Sequence, residues 1–229
     1  MFAAALYSTS AKADVAGTLV VSNCGGGTIT ATTIQWSGLG CTPGSNITTA
    51  LGTNVTYNGG GPLGFPVGGV LQNLTIGGGS VPDFMTFPTS NPNLHFDLTS
   101  IGPGSANTNC MVAPGLSCSI SAGSPFIFTG NQNGTTSIAF SVSGVARDLS
   151  GTSGSWNGAF TTQLAGITPS TIQASLLGGG SLSSTYSGTF TITPGTQVVP
   201  EPTTMVLLGT GLAGVAANLR RRRKGRKRE

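Results

Sequence analysis

Residues 137–144 read SIAFSVSG, and their alternation decides the fold. In an extended chain successive side chains point to opposite faces, so Ile138, Phe140 and Val142 share one face while Ser137, Ala139, Ser141 and Ser143 share the other. That is the pattern of a strand with one apolar and one hydroxyl-covered face. It recurs outward along the chain. In LHFDLT (94–99) Leu94, Phe96 and Leu98 fall inward; in SWNGAFTTQLA (155–165) it is Trp156, Phe160 and Leu164; in TYSGTFTIT (185–193) it is Tyr186, Phe190 and Ile192. Between these runs lie turn clusters, YNGGGP, GGGS, RDLSGTSG and ITPS, whose Gly, Pro, Asn and Ser favour reversal of the chain. No stretch of the body joins helical spacing to Glu, Lys or Ala in quantity. The expected fold is therefore all-β, an antiparallel sandwich or meander, with Phe96, Ile138, Phe140, Val142, Phe160, Phe190 and Ile192 in its core. Residues 14–60 alternate less clearly and fix no arrangement of strands.

Composition narrows the function. Only 7% of the 229 residues are charged, and the formal charge of +4 is very unevenly spread. Residues 220–229 hold eight Lys/Arg against one Glu, a local charge of +7, whereas residues 14–200 hold Arg147 against Asp14, Asp83, Asp97 and Asp148, or −3. A basic patch binds nucleic acid only when it belongs to the working domain. Here it follows an apolar run at the end of the chain, so no nucleic-acid partner is expected.

The start, MFAAALYSTSAKAD, has a short apolar stretch from Phe2 to Tyr7 and then Ala11-Lys12-Ala13, the small-residue pattern of a signal-peptidase site. Residues 1–13 read as the downstream part of a signal peptide. Four cysteines agree with export, since an even count in an oxidising compartment points to disulfides. Of three connectivities the local pairs Cys24–Cys41 and Cys110–Cys118 are favoured, because each brackets turn-forming sequence. Zinc is disfavoured: neither pair has C-x-x-C spacing and the chain has one histidine, His95. No metal or other cofactor is expected.

Chemistry is sparse. His95 and Asp97 lie two apart on a strand and face the same way, outward, and with a serine they invite comparison with a hydrolytic triad. An exposed polar face accounts for them better: no G-x-S-x-G elbow occurs, and serines are common on this surface by composition alone. The G-x-G-x-x-G matches at Gly59-Gly61-Gly64 and Gly209-Gly211-Gly214 lack the strand, helix and acidic residue of a dinucleotide site. Four N-x-T sequons, at Asn46, Asn54, Asn73 and Asn133, arise easily in a Thr-rich chain.

The C-terminus carries the most specific signal. From Met205 to Leu219 the chain is apolar or small apart from Thr210 and Asn218, a helix of about 22 Å at 1.5 Å per residue, which spans a core near 30 Å only with help from flanking residues. Arg220, Arg221, Arg222, Arg223 and Lys224 would stop transfer and remain cytoplasmic. The expected layout is thus a β-rich exported domain over 14–198 and a segment over 199–229 with one transmembrane helix.

VPEP (199–202), then an apolar helix containing LLGTGLAG (207–214), then RRRRK (220–224), closely resembles the PEP-CTERM sorting signal of exported proteins. The resemblance implies recognition by exosortase, a membrane-embedded cysteine protease-transpeptidase, near Pro200-Glu201-Pro202, and a transient stay in the inner membrane before the cell surface or matrix. Such substrates are typically low in charge, rich in Ser, Thr and Gly, and often associated with exopolysaccharide. The resemblance covers residues 199–224 and says nothing of the body's activity. For the body the expected role is that of a non-enzymatic surface or extracellular-matrix protein, since its surface offers few groups able to act as acid or base. The alternative is a carbohydrate-binding module with Trp36, Trp156 and Tyr186 as stacking candidates; an exported hydrolase comes last.

Overall fold

The structure, a computed structural model, describes residues 14–37, 41, 44–195 and 210–212. In chain order the elements are β1 (Ala16–Asn23), β2 (Gly27–Ile29), β3 (Thr33–Trp36), β4 (Ile47–Thr49), β5 (Asn54–Thr56), β6 (Gly68–Leu71), β7 (Leu74–Thr75), β8 (Val81–Phe87), β9 (Asn91–Ile101), β10 (Ser117–Cys118), β11 (Ile127–Gly130), β12 (Thr135–Asp148), β13 (Ser153–Ala165), α1 (Pro169–Leu177), β14 (Leu182–Ser184) and β15 (Ser187–Pro194). Every pairing between them is antiparallel.

The expected all-β antiparallel fold is present, and the alternating segments form its longest strands. One feature goes beyond a sandwich or meander: the main sheet closes on itself. The path β12-β13-β15-β1-β4-β6-β8-β9 returns to β12 through the β12–β9 pairing, giving a barrel-like ring with β10 and β11 continuing from β12 and β5 from β1. Closure follows from the length of β12. Its whole length pairs with β13, while its other edge serves β11 from Thr136 to Ala139 and β9 from Val142 to Asp148. Closing the ring removes the exposed edges that an open sheet would present.

Aromatic rings fill the interior. Phe84, Phe87, Phe96, Phe140, Trp156, Phe160 and Phe190 are all buried, and each of the core residues expected from the sequence lies inside. Glycines on neighbouring strands make room for the rings. Gly158 sits opposite Phe190 and Gly188 opposite Phe160, and a Cβ on either glycine would press into the Phe190 ring. The second sheet, β14-β2-β3-β7, brings Trp36 from β3 onto the aromatic core, 4.9 Å from the Phe160 ring and 5.7 Å from that of Tyr186.

α1 departs from the expected helix-free body. The ITPS segment is no simple turn: the Thr168 hydroxyl caps the helix by accepting the Thr171 N–H, Pro169 occupies the first turn, and Ile172 and Leu176 are buried. Burial of that face, more than helix propensity, holds so short a helix. Both disulfides are formed, Cys24–Cys41 and Cys110–Cys118, with Cα–Cα separations of 5.3 and 5.2 Å.

Candidate functional site

The charged groups of the barrel converge on one place, the seam where β9 meets β12. His95 and Asp97 point outward from β9, as their spacing with buried Leu94, Phe96 and Leu98 requires. Arg147 lies on β12 directly across from His95. From the other side comes Asp83, where β8 slips register against β9 between Val81 and Met85. Asp83 has a left-handed backbone, φ 53°, a conformation that Asp tolerates better than most residues. Its N–H donates to Asp97 Oδ1 at 2.7 Å.

These side chains are bonded to one another. Arg147 Nε donates to Asp97 Oδ2 at 2.7 Å, and an Arg147 terminal nitrogen donates to Asp83 Oδ1 at 2.7 Å. His95 Nδ1 lies 2.8 Å from the same Asp83 oxygen. Burial works against the Asp97 carboxylate, yet the Arg147 hydrogen bond, the Asp83 N–H and the nearby positive charge outweigh it and hold its carboxyl below the usual carboxylate range. The Asp97 hydrogen bond in turn holds the Arg147 proton more tightly.

The backbones also approach closely at the seam. Register shifts between Ser143 and Gly144, and a Cβ at Gly144 would collide with the Asp97 carbonyl oxygen. That oxygen accepts the indole N–H of buried Trp156 at 3.1 Å. The cluster therefore ties three neighbouring strands, β8, β9 and β12, to the core across the closure. His95 and Asp97 share an outward face as expected, but the hydrogen bond of His95 runs to Asp83. Asp83 and Arg147 belong to the cluster and carried no role in the sequence reading. Their signal was rarity, since charges in so neutral a body are few enough to seek each other.

The remaining charge at the barrel's hairpins is spent locally. Asp148 accepts from the backbone N–H groups of Ser150 and Thr152 and from both hydroxyls, closing the β12–β13 turn. Burial opposes its charge, and the Thr152 and Ser150 hydrogen bonds outweigh that and lower its carboxyl. Among the described residues no group of His, Cys, Asp or Glu could hold a metal ion.

The three stacking candidates are all in the core. Trp36, Trp156 and Tyr186 are 6%, 1% and 3% exposed, which removes them as a surface platform for sugar rings. Their places on inward-facing positions, and for Trp36 against the Phe140 and Phe160 rings, account for this.

Outside the seam the wall is neutral. Ser187, Thr189, Thr191 and Thr193 of β15 face outward beside Ser155, Asn157, Ala159 and Thr161 of β13, in rows that continue into Ser141 and Ser143 of β12 and Thr18 and Ser22 of β1.

The sorting residues Pro200, Glu201 and Pro202 and the basic run Arg220, Arg221, Arg222, Arg223 and Lys224 lie outside the described residues, as do residues 1–13. Of the expected span from Met205 to Leu219, residues 210–212 are described and are helical. No helix among the described residues is long and apolar enough to cross a membrane.

Compared with known families, residues 198–223 match the PEP-CTERM protein-sorting motif. This places the chain among exported proteins targeted to exosortase, a membrane enzyme, with transient anchoring through the C-terminus. No curated protein and no solved structure matches the chain.

Proposed function

We propose that the chain is a non-enzymatic structural protein of the cell surface or extracellular matrix, associated with exopolysaccharide and released from the inner membrane by exosortase cleavage near Pro200-Glu201-Pro202. The sorting motif at 198–223 supports the route. The barrel supports the role: its outer wall is a grid of small hydroxyl side chains, Asp83, Asp97 and Arg147 are engaged with one another at the seam, and Asp148 is held within its turn. A general acid or base needs a group free to exchange its proton with a substrate, and here the Asp83 and Asp97 carboxylates are held by Arg147.

Fractionating native cells and measuring the intact mass of the protein tests this reading. The expected result is a chain found at the surface or in the matrix whose mass lacks the residues beyond the PEP tripeptide. A chain recovered from a host with an intact sorting system that stays in the inner membrane and still carries residues 203–229 would overturn it.

A further inference from the structure

The hydroxyl wall is not uniformly convex. Where the ends of β1 and β13 meet the starts of β12 and β15 it opens into a cleft of about 760 Å³, lined by Ser22, Ala139, Thr161, Gln163, Tyr186 and Ser187 among others. We propose that this cleft is a binding site for an uncharged, polyhydroxylated ligand, a short segment of neutral glycan held by hydrogen bonds. The site stands on its own geometry, while its biological partner rests on the matrix reading above.

The cleft's floor is set by strand register. Ala139 lies opposite Thr161, Thr161 opposite Ser187, and Ser187 opposite Ser22, so four small side chains form one cross-strand row. Three strand spacings make that row roughly 14 Å long, enough for a short oligosaccharide. The chemistry is that of a polyol's counterpart. The Thr161 and Ser187 hydroxyls are 3.4 Å apart, a weak contact that a ligand hydroxyl can replace, and the exposed Gln163 amide offers both donors and an acceptor. The Ala139 methyl, facing outward on β12, gives a small apolar patch against which the C–H face of a sugar can lie.

The lining brings no charge from Tyr186: its ring turns inward against Trp36 and is 3% exposed, and burial pushes its phenol up, so it remains a neutral group. Among the described residues no ionised side chain lines the cleft, and a charged ligand entering it would lose hydration with no opposite charge there to compensate. That selects neutral glycans over uronate-rich ones. A site built from neutral hydrogen bonds, without an aromatic platform, binds weakly, with a Kd of about 1 mM.

The test is a titration of the full chain in detergent, followed by amide chemical shifts, with neutral hexasaccharides of glucose and of mannose and with an oligouronate of the same length. The expected result is saturable shifts at residues 137–139, 161–163 and 185–187 with at least one neutral hexasaccharide. Ala139→Trp, which fills the cleft from an outward position, should abolish them while the far-ultraviolet circular dichroism is unchanged. Gln163→Ala should weaken binding about fivefold and serves if the tryptophan variant does not fold. Absence of shifts with every neutral sugar, equal binding of the oligouronate, or full binding by both variants would each overturn the proposal. Since the titration is blind to cell location, failure here leaves the matrix reading standing, and a misplaced protein that still binds leaves the cleft standing.

Discussion

Truncating Phe140 to alanine probes the inward face of the central strand. The ring is fully buried and lies across from Phe160 in register, with ring centroids 5.2 Å apart, and it also touches Phe126 at 5.7 Å and Trp36 at 6.3 Å. An aromatic side chain buries at least ~150 Å², which at about 25 cal/mol per Å² corresponds to roughly 4 kcal/mol. Measured Phe→Ala changes in cores, about 3–5 kcal/mol, agree. A domain has about 5–15 kcal/mol of stability in all, so the variant should be folded but fragile. With a urea slope near 2 kcal/mol per M, the midpoint should fall by about 2 M. Phe140→Leu, which keeps most of the volume, should cost less than about 1.5 kcal/mol. Ser141→Ala, one residue on and facing outward, should stay within about 0.5 kcal/mol. A one-residue slip of register would exchange these two faces. Equal midpoints for the 140 and 141 variants, or a larger loss at 141, would refute the assignment of faces.

Three further outcomes follow from the same features. Arg147→Met should cost about 1 kcal/mol at neutral pH, the seam being partly screened by solvent. Because the Asp97 carboxyl is lowered in the folded state, its contribution is present above the pKa of the unfolded carboxyl and lost as pH falls through the lower folded value; urea midpoints of wild type and variant should therefore converge in acid, and an unchanged gap would count against the seam. Peptide mapping without reduction should recover Cys24 linked to Cys41 and Cys110 to Cys118; with a sequence separation of 17, loss of the first bridge should cost about 3 kcal/mol, and four free thiols would contradict export. Glu201→Ala should leave the chain uncleaved in the inner membrane with its arginines in the intact mass, whereas normal processing would show that the carboxylate is no part of the signal.

Strands rich in aromatics were legible because period-two alternation is a local property: Phe96, Phe140, Phe160 and Phe190 announce their face within six or seven residues. Closure was not, because it depends on pairing Val142 with Ile101 and Asp148 with Leu94, partners whose distance in sequence leaves no local trace. The region from 14 to 60 read poorly for a different reason. Strands such as β2, β4 and β5 are three residues long, too short for alternation to rise above composition. α1 had its signals, a Thr cap followed by Pro, but Ser, Thr and Gln are ordinary helix formers and the two buried residues that hold it declare themselves only in three dimensions. The seam was half legible: His95 and Asp97 could be placed on one face, whereas Asp83 joins them through a bulge that no spacing rule foretells.

The division of charge has a physical consequence for the proposed processing. While the tail is attached, its +7 dominates a body of −3, and each Lys or Arg near an anionic leaflet contributes about 1 kcal/mol of attraction. Cleavage beside the PEP tripeptide removes residues 203–229 and leaves a molecule of opposite sign. The event that cuts the anchor therefore also ends electrostatic attraction to the membrane surface, so departure needs no separate conformational change. What leaves is a barrel in which Asp83, Asp97 and Arg147 are locked across its own seam and whose wall meets its surroundings through hydroxyls. Such a wall exchanges hydrogen bonds with water or with a neutral polymer at nearly equal cost. Retention in a hydrated glycan must then come from many weak contacts or from a shaped site, and the cleft above Ala139 is where the wall has a shape.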